Sequence, residues 1–207
     1  MENYKKAKEL IKPHLEGFKI IDALSNPAFY LEGLVEYPVP NTGEAENFKK
    51  LDIKEFWVYY CCGQAEKLSN RFFSMPSYRN RIIATQFYKF GVEGFLHWGY
   101  NFYNARYSTC AINPFLVTDA LGGFPAGDSF SVYPFDEGPI ESLRSVVFHE
   151  ALQDVSAFRL LEQKIGYDEV MKLLETEGKI TFTQYPRSVE YIINLRETVN
   201  QKIKSFL

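Results

Sequence analysis

The sequence has little cysteine and histidine, with 3 residues of each among 207. The cysteines, Cys61, Cys62 and Cys110, are odd in number, and adjacent cysteines rarely bridge each other, so we expect reduced thiols and an intracellular setting. The run from His149 to Gln153 has glutamine where the zinc helix H-E-x-x-H needs its second imidazole. No other spacing matches a metal site. The sequence therefore predicts no metal centre.

Long apolar runs and an excess of positive charge are also missing. No segment has the length that a membrane helix requires, and the amino-terminal sequence MENYKKAKELIKPH is typical of a charged amphipathic helix rather than a signal peptide. The formal net charge is -3, and the pI is about 5.7. Nucleic acids and anionic lipids require clustered Lys and Arg, so neither is an expected partner. A cytoplasmic protein is the expectation.

What is present is enough apolar sequence for a sizeable core, at 46% apolar and 24% charged residues, and we expect one domain over residues 1–207. Strand and helix signals alternate, which is typical of an α/β fold with a parallel sheet. Four strands with intervening helices correspond to half of a (β/α)8 TIM-barrel-like domain. The β and α units and a ligand-type loop occupy residues 1–135, and carboxyl-terminal helices occupy 136–207. Strands are predicted at 19–24, 34–40, 56–62 and 94–100, and helices at 4–14, 44–50, 78–90 and 139–165, with two more helices in the tail.

The most informative stretch is 91–134, where a buried strand runs into a long loop rich in aromatic and amide side chains. Ligand pockets of parallel α/β proteins form at the carboxyl ends of strands. Trp98 is placed to stack on the apolar face of a sugar, or else is a core tryptophan. Tyr100 and Tyr103 are candidate hydrogen-bond donors, and Asp128 a candidate partner of a hydroxyl unless it forms an Asx turn. Tyr60, at the end of the third strand, completes the candidate substrate-binding residues.

Four runs of the sequence carry a resemblance to a known family. In order, they are EFWVYYCCGQ, GVEGFLHWGYNFYN, GGFPAGDSFSVYP and GPIESLRSVVFHEALQDVSAFRLLE. Together they resemble the carboxyl-terminal part of the domain of unknown function 4091 family, which belongs with glycoside hydrolase family 123. The resemblance covers residues 1–165 and implies the carboxyl-terminal half of a TIM-like barrel. It also implies hydrolysis of N-acetylhexosaminides with the substrate's acetamido group as nucleophile, and no cofactor.

That mechanism needs an adjacent Asp-Glu pair, one carboxylate orienting the acetamide and the other acting as general acid and base. The resemblance begins almost at Met1, so we expect the half that would supply the pair to be absent, and the catalytic residues are unknown. Asp136-Glu137 is predicted to be an exposed acidic turn and Asp168-Glu169 solvated charge in the first turn of a helix. Arg144, Glu150 and Asp154 are predicted to form a structural network.

The sequence thus predicts a sugar-binding half-site with little or no turnover by itself. The expected ligand is an N-acetylhexosamine-type carbohydrate. A half barrel exposes sheet edges, so a homo-oligomer, or association with a missing amino-terminal half, is expected. One alternative is a non-catalytic oligomerisation or protein-interaction module that uses the aromatic loop. Another is hydrolysis that uses Asp136 or Glu137.

Overall fold

The sheet consists of four short parallel segments in chain order. In the computed structural model, which describes residues 1–207, β1 (Ile21–Asp22) pairs with β2 (Tyr37–Pro38), and β3 (Trp57–Tyr59) pairs with β4 (Gly94–Leu96). A parallel bridge between Asn41 and Tyr59 joins the two pairs. The α/β class is therefore confirmed. The array ends at β1 on one side and β4 on the other, and it does not close into a barrel.

Helices follow or separate the strands as the sequence predicts. The helix predicted at 78–90 is divided at Ile82 into α4 (Tyr78–Arg81) and α5 (Ile83–Phe90). Gly91 ends α5 in the left-handed conformation at φ 61°. None of the helices combines the length and apolar character needed to cross a bilayer. The helices are α1 (Glu2–Ile11), α2 (Ala28–Leu31), α3 (Ala45–Lys49), α4 (Tyr78–Arg81), α5 (Ile83–Phe90), α6 (Leu143–Ile165), α7 (Tyr167–Leu174) and α8 (Val189–Lys204), with 3-10 turns at Lys12–His14 and Arg106–Ser108.

The long helix begins four residues later than predicted. Ser142 is its N-cap, with extended backbone and a hydroxyl that accepts from the Ser145 N–H at 3.3 Å. The preceding residues form β6 (Ile140–Glu141), which pairs antiparallel with β5 (Val132–Tyr133). The Ser142 hydroxyl also donates to the carbonyl oxygen of Ser131. The apolar periodicity predicts a first helical turn at these residues, but they form backbone hydrogen bonds with β5 instead, and the helix begins after them.

The core lies between the sheet and the long helices. Val58 of β3 is fully buried, as are residues of the last helices such as Val199. One continuous apolar cluster contains side chains from both the sheet region and the carboxyl-terminal helices. Among its members are Phe48, Phe56, Ile83, Phe87, Phe158, Leu161, Leu174, Phe182 and Leu195.

A buried carboxylate connects three helices. Asp154 of α6 accepts two hydrogen bonds from Arg81 of α4, at 2.7 and 3.0 Å, and one from Arg196 of α8 at 2.7 Å. Glu150 lies 3.4 Å from Arg81. The predicted network therefore includes Glu150 and Asp154, but Arg144 is not part of it. Arg144 lies ten residues before Asp154 on α6, nearly three turns away, and faces the loops of the candidate site instead.

Candidate functional site at the carboxyl ends of the strands

Two loops meet at the carboxyl end of β4. Phe102 N–H donates to the Ser129 carbonyl at 3.0 Å, and Ser131 N–H donates to the Tyr100 carbonyl at 2.8 Å. Gly99 has φ 60°, and a Cβ there would lie 2.7 Å from the carbonyl oxygen of Asp128. Only glycine combines this conformation with so close an approach. The loops are thus held in register by the backbone, and they bring Asp128 to Trp98.

Trp98 and Asp128 form a hydrogen-bonded pair. The indole Nε1–H of Trp98 donates to Oδ2 of Asp128 at 3.2 Å. Asp128 is fully buried, and Trp98 is half-buried between Phe102 and Phe124, with ring centroids 5.7 and 5.0 Å away. The two residues that the sequence assigned separately to a ligand therefore contact each other. Whether either touches a ligand stays a prediction.

The carboxyl group of Asp128 titrates far above its ordinary range. Burial raises the pKa of Asp128 to about 6, although the positive charge of Arg71 and the hydrogen bond from Trp98 act in the opposite direction. Oδ1 of Asp128 is buried and has no hydrogen-bond partner. Since a buried acceptor without a partner is costly, this oxygen is free to take a donor. The group is therefore able to exchange a proton near neutral pH.

Arg71, which the sequence gave no reason to select, organises the cluster. It is 2% exposed, and its Nη2 donates to the carbonyl oxygens of Trp98 at 2.8 Å and Asp128 at 2.6 Å. Its guanidinium lies 4.9 Å from the centre of the Tyr60 ring. Nε and Nη1 have no partner. No motif surrounds Arg71 in the sequence; an arginine between an asparagine and two phenylalanines is the only signal, and it is weak.

The three predicted tyrosines lie at different depths. The Tyr60 hydroxyl donates to Oδ1 of Asn80 at 3.0 Å in the interior, and burial raises the pKa of Tyr60. Tyr103 donates to the carbonyl of Val132 at 2.9 Å. Tyr100 is 47% exposed. Of the three, Tyr100 is therefore the one with a ring most open to solvent, and the role of each in ligand binding stays a prediction.

His97 precedes Trp98 and belongs to the interior of the same cluster. Its ring packs against Phe95 at 5.7 Å and Tyr100 at 5.4 Å, and its Nε2 lies 3.2 Å from the Ser131 hydroxyl. Burial lowers the pKa of His97 to about 3, and the nearby charges of Arg71 and Arg144 lower it further in the same direction. The imidazole is consequently neutral near pH 7.

Arg144 is the second arginine of the cluster. Its Nη1 donates to the carbonyl oxygens of Gly127 and, at 2.7 Å, of Phe130, and its guanidinium lies 4.5 Å from the centre of the Phe73 ring. Nη2 has no partner. Next to it is a cleft of about 360 Å³, lined by Phe72, Phe73, Met75, Ser77, Tyr133, Ser142, Leu143 and Arg144. None of the five predicted binding residues lines this cleft.

The remaining candidates lie at the edge of the cluster. Asp136 and Glu137 are exposed in the connection between β5 and β6, as predicted for an acidic turn. Cys61 and Cys62 are free thiols. Burial raises the pKa of the Cys62 thiol, and Cys61 and Asp128 raise it further. The cluster therefore offers a carboxyl group, an indole and two arginines without full hydrogen bonding, but no activated thiolate.

These features define a class of protein: an α/β domain with a polar and aromatic cluster at the carboxyl ends of parallel strands, where such domains hold small ligands. The family model described as Glycoside hydrolase 123, catalytic domain, matches residues 1–161. The chain therefore belongs to the glycoside hydrolase 123 catalytic domain family. The match ends inside α6, so α7 and α8 lie beyond it. A search of curated proteins found no match.

Proposed function

We propose that this chain is a carbohydrate-binding domain of the glycoside hydrolase 123 type, directed to N-acetylhexosaminides. The observation that carries the proposal is the hydrogen bond of 3.2 Å between Trp98 and Asp128 at the carboxyl end of β4, beside the exposed ring of Tyr100. An indole and a tyrosine ring offer apolar faces to the C–H groups of a sugar. The unpaired Oδ1 of Asp128 is buried, so it becomes the acceptor for a sugar hydroxyl or amide N–H when a side chain that covers it moves aside.

The sheet supports a relation to a (β/α)8 barrel as part of the same proposal. Its four parallel segments follow chain order, as strands of such a barrel do. The binding residues follow the fourth segment, on the side where barrel enzymes have their active sites. The barrel relation thus accounts for both the strand order and the position of the polar cluster.

We further propose that the chain by itself has little or no turnover. Hydrolysis assisted by the substrate's acetamido group requires two carboxylates placed around one sugar. The carboxylate of the buried cluster is that of Asp128. Asp136 and Glu137, which are neighbours in the sequence, are exposed in the hairpin connection between β5 and β6.

The experiment is calorimetric titration with N-acetylgalactosamine and N-acetylglucosamine, with glucose as the control sugar. Binding of an N-acetylhexosamine is expected in the wild type and is expected to fall at least about tenfold in Trp98→Ala and Asp128→Ala, since each loses a hydrogen bond or stacking contact. Tyr107→Ala, with its exposed ring, is the matched control and should bind normally. Absence of binding by the folded wild type would reject the proposal.

Turnover is measured separately with an aryl N-acetylhexosaminide. The expected result is no cleavage above background. Cleavage that disappears in Glu137→Gln but persists in Asp168→Asn would instead assign catalysis to the hairpin pair and contradict the proposal of a binding domain without turnover.

A second candidate function is protein interaction, and one observation favours it. The loop after β4 exposes large apolar side chains, Tyr107 and Leu116 both at 81%. Exposed apolar groups concentrated in one segment are typical of interaction surfaces. If this is the function, Leu116→Ser abolishes complex formation in a pull-down with the wild-type chain as bait, while sugar titration is silent for all variants.

A further inference from the structure

Buried side-chain atoms without a hydrogen-bond partner are concentrated in one place. The chain has seven such atoms, and five of them belong to the cluster at the carboxyl end of β4. Native proteins leave few buried polar atoms unpaired, because each one costs free energy of desolvation. Their concentration in a single cluster therefore points to a polar ligand. The five atoms are Nε and Nη1 of Arg71, Nη2 of Arg144, Oδ1 of Asp128 and Oγ of Ser129.

The three nitrogens among these atoms belong to arginines that form no ion pair. Arg81 and Arg196, which are also partly buried, both pair with Asp154. Arg71 and Arg144 take part in none of the ion pairs of the chain, and their hydrogen bonds go to main-chain carbonyl oxygens instead. A buried charge is costly unless it is paired. The two guanidinium groups are therefore ready to accept an anion.

The charges of the cluster do not balance. Burial lowers the pKa of Arg144, and the positive charge of Arg71 lowers it further. The two guanidinium groups are accompanied by a single carboxyl group, that of Asp128. His97 is neutral near pH 7, because its pKa is about 3, and burial keeps the Tyr60 hydroxyl neutral by raising its pKa. The cluster thus has one positive charge in excess when Asp128 is ionised.

The chemistry of the unpaired atoms selects an oxyanion. Three nitrogen donors accompany one carboxylate oxygen and one hydroxyl, so a matching ligand presents mainly acceptor oxygens. Guanidinium groups form strong, charge-assisted hydrogen bonds with such oxygens. A sulfate ester has three terminal oxygens and a single negative charge, which matches donors from two arginines and one excess positive charge. A phosphate ester carries about 1.5 to 2 negative charges at pH 7, and its additional charge would repel Asp128.

Arg144 connects the buried cluster to the open cleft of about 360 Å³. The ring of Phe73 also lines this cleft, is 48% exposed and lies 4.5 Å from the Arg144 guanidinium. Gly127, at φ 84°, leaves room for the ring, because a Cβ there would lie 2.5 Å from it. Exposed side chains change rotamer within nanoseconds. A turn of Phe73 about its Cα–Cβ bond opens a path from the cleft to Nη2 of Arg144.

We propose that the ligand is an N-acetylhexosamine that carries a sulfate ester, with the sulfate bound by the guanidinium groups of Arg71 and Arg144. This inference rests on the proposed sugar binding and names the class of sugar. The sulfate oxygens accept hydrogen bonds from Nε and Nη1 of Arg71 and from Nη2 of Arg144. Oδ1 of Asp128 accepts from a hydroxyl or the acetamide N–H of the same sugar. Four of the five unpaired atoms then have a partner.

The experiment is calorimetric titration of the wild type with neutral and charged forms of the same sugars. The ligands are N-acetylglucosamine with its 6-sulfate and 6-phosphate, and N-acetylgalactosamine with its 4-sulfate and 6-sulfate. At least one sulfated sugar is expected to bind at least about tenfold more tightly than its neutral parent, since charge-assisted hydrogen bonds are roughly twice as strong as neutral ones. The 6-phosphate should bind less tightly than the 6-sulfate. Inorganic sulfate alone should bind more weakly than the sulfated sugar, because it makes no contact with Trp98.

Arg144→Gln tests the anion site directly. Glutamine has no charge but is still able to donate to the carbonyl oxygens of Gly127 and Phe130. The ratio of the affinities for sulfated and neutral sugar is expected to fall to about one in this variant. Arg106→Gln is the matched control, because Arg106 is exposed, and it should keep the wild-type ratio. Circular dichroism checks that each variant is folded. If Arg144→Gln is not, the comparison of the sugars on the wild type decides by itself.

The results separate this inference from the proposed function. If neutral sugars bind and sulfated sugars bind no more tightly, sugar binding stands and the sulfate inference is wrong. Equal affinity for inorganic sulfate and for the sulfated sugars would mean a site for free anions and would also overturn it. The same holds for tighter binding of the 6-phosphate than of the 6-sulfate, and for a sulfate preference that persists in folded Arg144→Gln. If none of the sugars binds, both proposals are wrong.

Discussion

Nη2 of Arg71 donates a hydrogen bond of 2.6 Å to the carbonyl oxygen of Asp128, 57 residues further along the chain. The same nitrogen donates to the carbonyl oxygen of Trp98 at 2.8 Å. One buried guanidinium thus ties the end of β4 to the loop that holds Asp128. Arg71 therefore positions Trp98 and Asp128 through their main-chain carbonyl groups. It does not contact the indole nitrogen or the carboxylate oxygen that form the hydrogen bond between the two side chains.

Arg71→Lys is the first prediction. An ammonium group lacks the planar fork of a guanidinium, so the two bonds to main-chain carbonyls are not both kept. We expect the free energy of unfolding to fall by about 2–4 kcal/mol, since hydrogen bonds to charged groups contribute about 1.5–3 kcal/mol each. Urea denaturation measures this. Arg106→Lys is the control, because Arg106 also lies over a tyrosine ring, at 4.8 Å from Tyr107, but is exposed. Equal losses in the two variants would contradict the role given to Arg71.

Asp128→Asn tests the electrostatics of the buried carboxyl. Its pKa rises from 3.8 in the unfolded chain to about 6 in the folded one, so the folded state binds the proton more tightly. The resulting stability is fully present below pH 3.8 and is lost as the pH rises through 6. The loss amounts to about 3 kcal/mol. As the pH rises from 3.8 to 6, Asp128→Asn should therefore gain stability relative to the wild type, which urea denaturation across this pH range measures. A difference in the free energy of unfolding between the two proteins that stays constant with pH would refute the raised pKa of Asp128.

His97→Phe tests a group whose contribution to stability changes with pH in the opposite direction. The pKa of His97 falls from 6.5 to about 3 on folding, so its contribution to stability is present above pH 6.5 and is lost as the pH falls through 3. Phenylalanine keeps the ring among its aromatic neighbours but does not titrate. The variant is expected to gain on the wild type by roughly 3–5 kcal/mol as the pH is lowered through this window. The two pH windows overlap between 3.8 and 6. In that range, His97 and Asp128 change the free energy of unfolding of the wild type in opposite directions as the pH changes. The double variant should lack both of these pH-dependent contributions.

Asp154→Ala tests the junction of three helices. The substitution leaves the guanidinium groups of Arg81 and Arg196 without their carboxylate, and breaking a buried pair in this way costs about 3–5 kcal/mol. Thermal and urea unfolding measure the loss. Glu169→Ala removes the exposed pair with Lys172 and should cost far less than Asp154→Ala, because solvent screens the charges of an exposed pair. A similar small cost at both positions would mean that the Asp154 network does not hold the helices together.

Much of the secondary structure is predictable from local pattern, and the failures have a common cause. The strands at Trp57–Tyr59 and Gly94–Leu96 lie inside their predicted runs, and α5 ends at Gly91. The predicted start of α6 was wrong, because the residues before Leu143 form β6 and pair with β5. Since β5 lies outside the segment whose apolar spacing predicted the helix, that spacing could not reveal the pairing. Arg144 was assigned to the wrong network for a similar reason. Spacing along a helix gives the face of a side chain, but not which loop packs against that face.

The sequence by itself determined the α/β class and the family, because these depend on composition, periodicity and ordered local motifs, and it predicts the loop after the fourth strand as the place for a ligand. The tertiary structure alone decided that Trp98 bonds to Asp128 and that Arg71 fixes both. Each of these depends on residues distant in the chain meeting in space. Burial then sets the pKa of Asp128 and of His97, and no local pattern reports burial of a polar side chain.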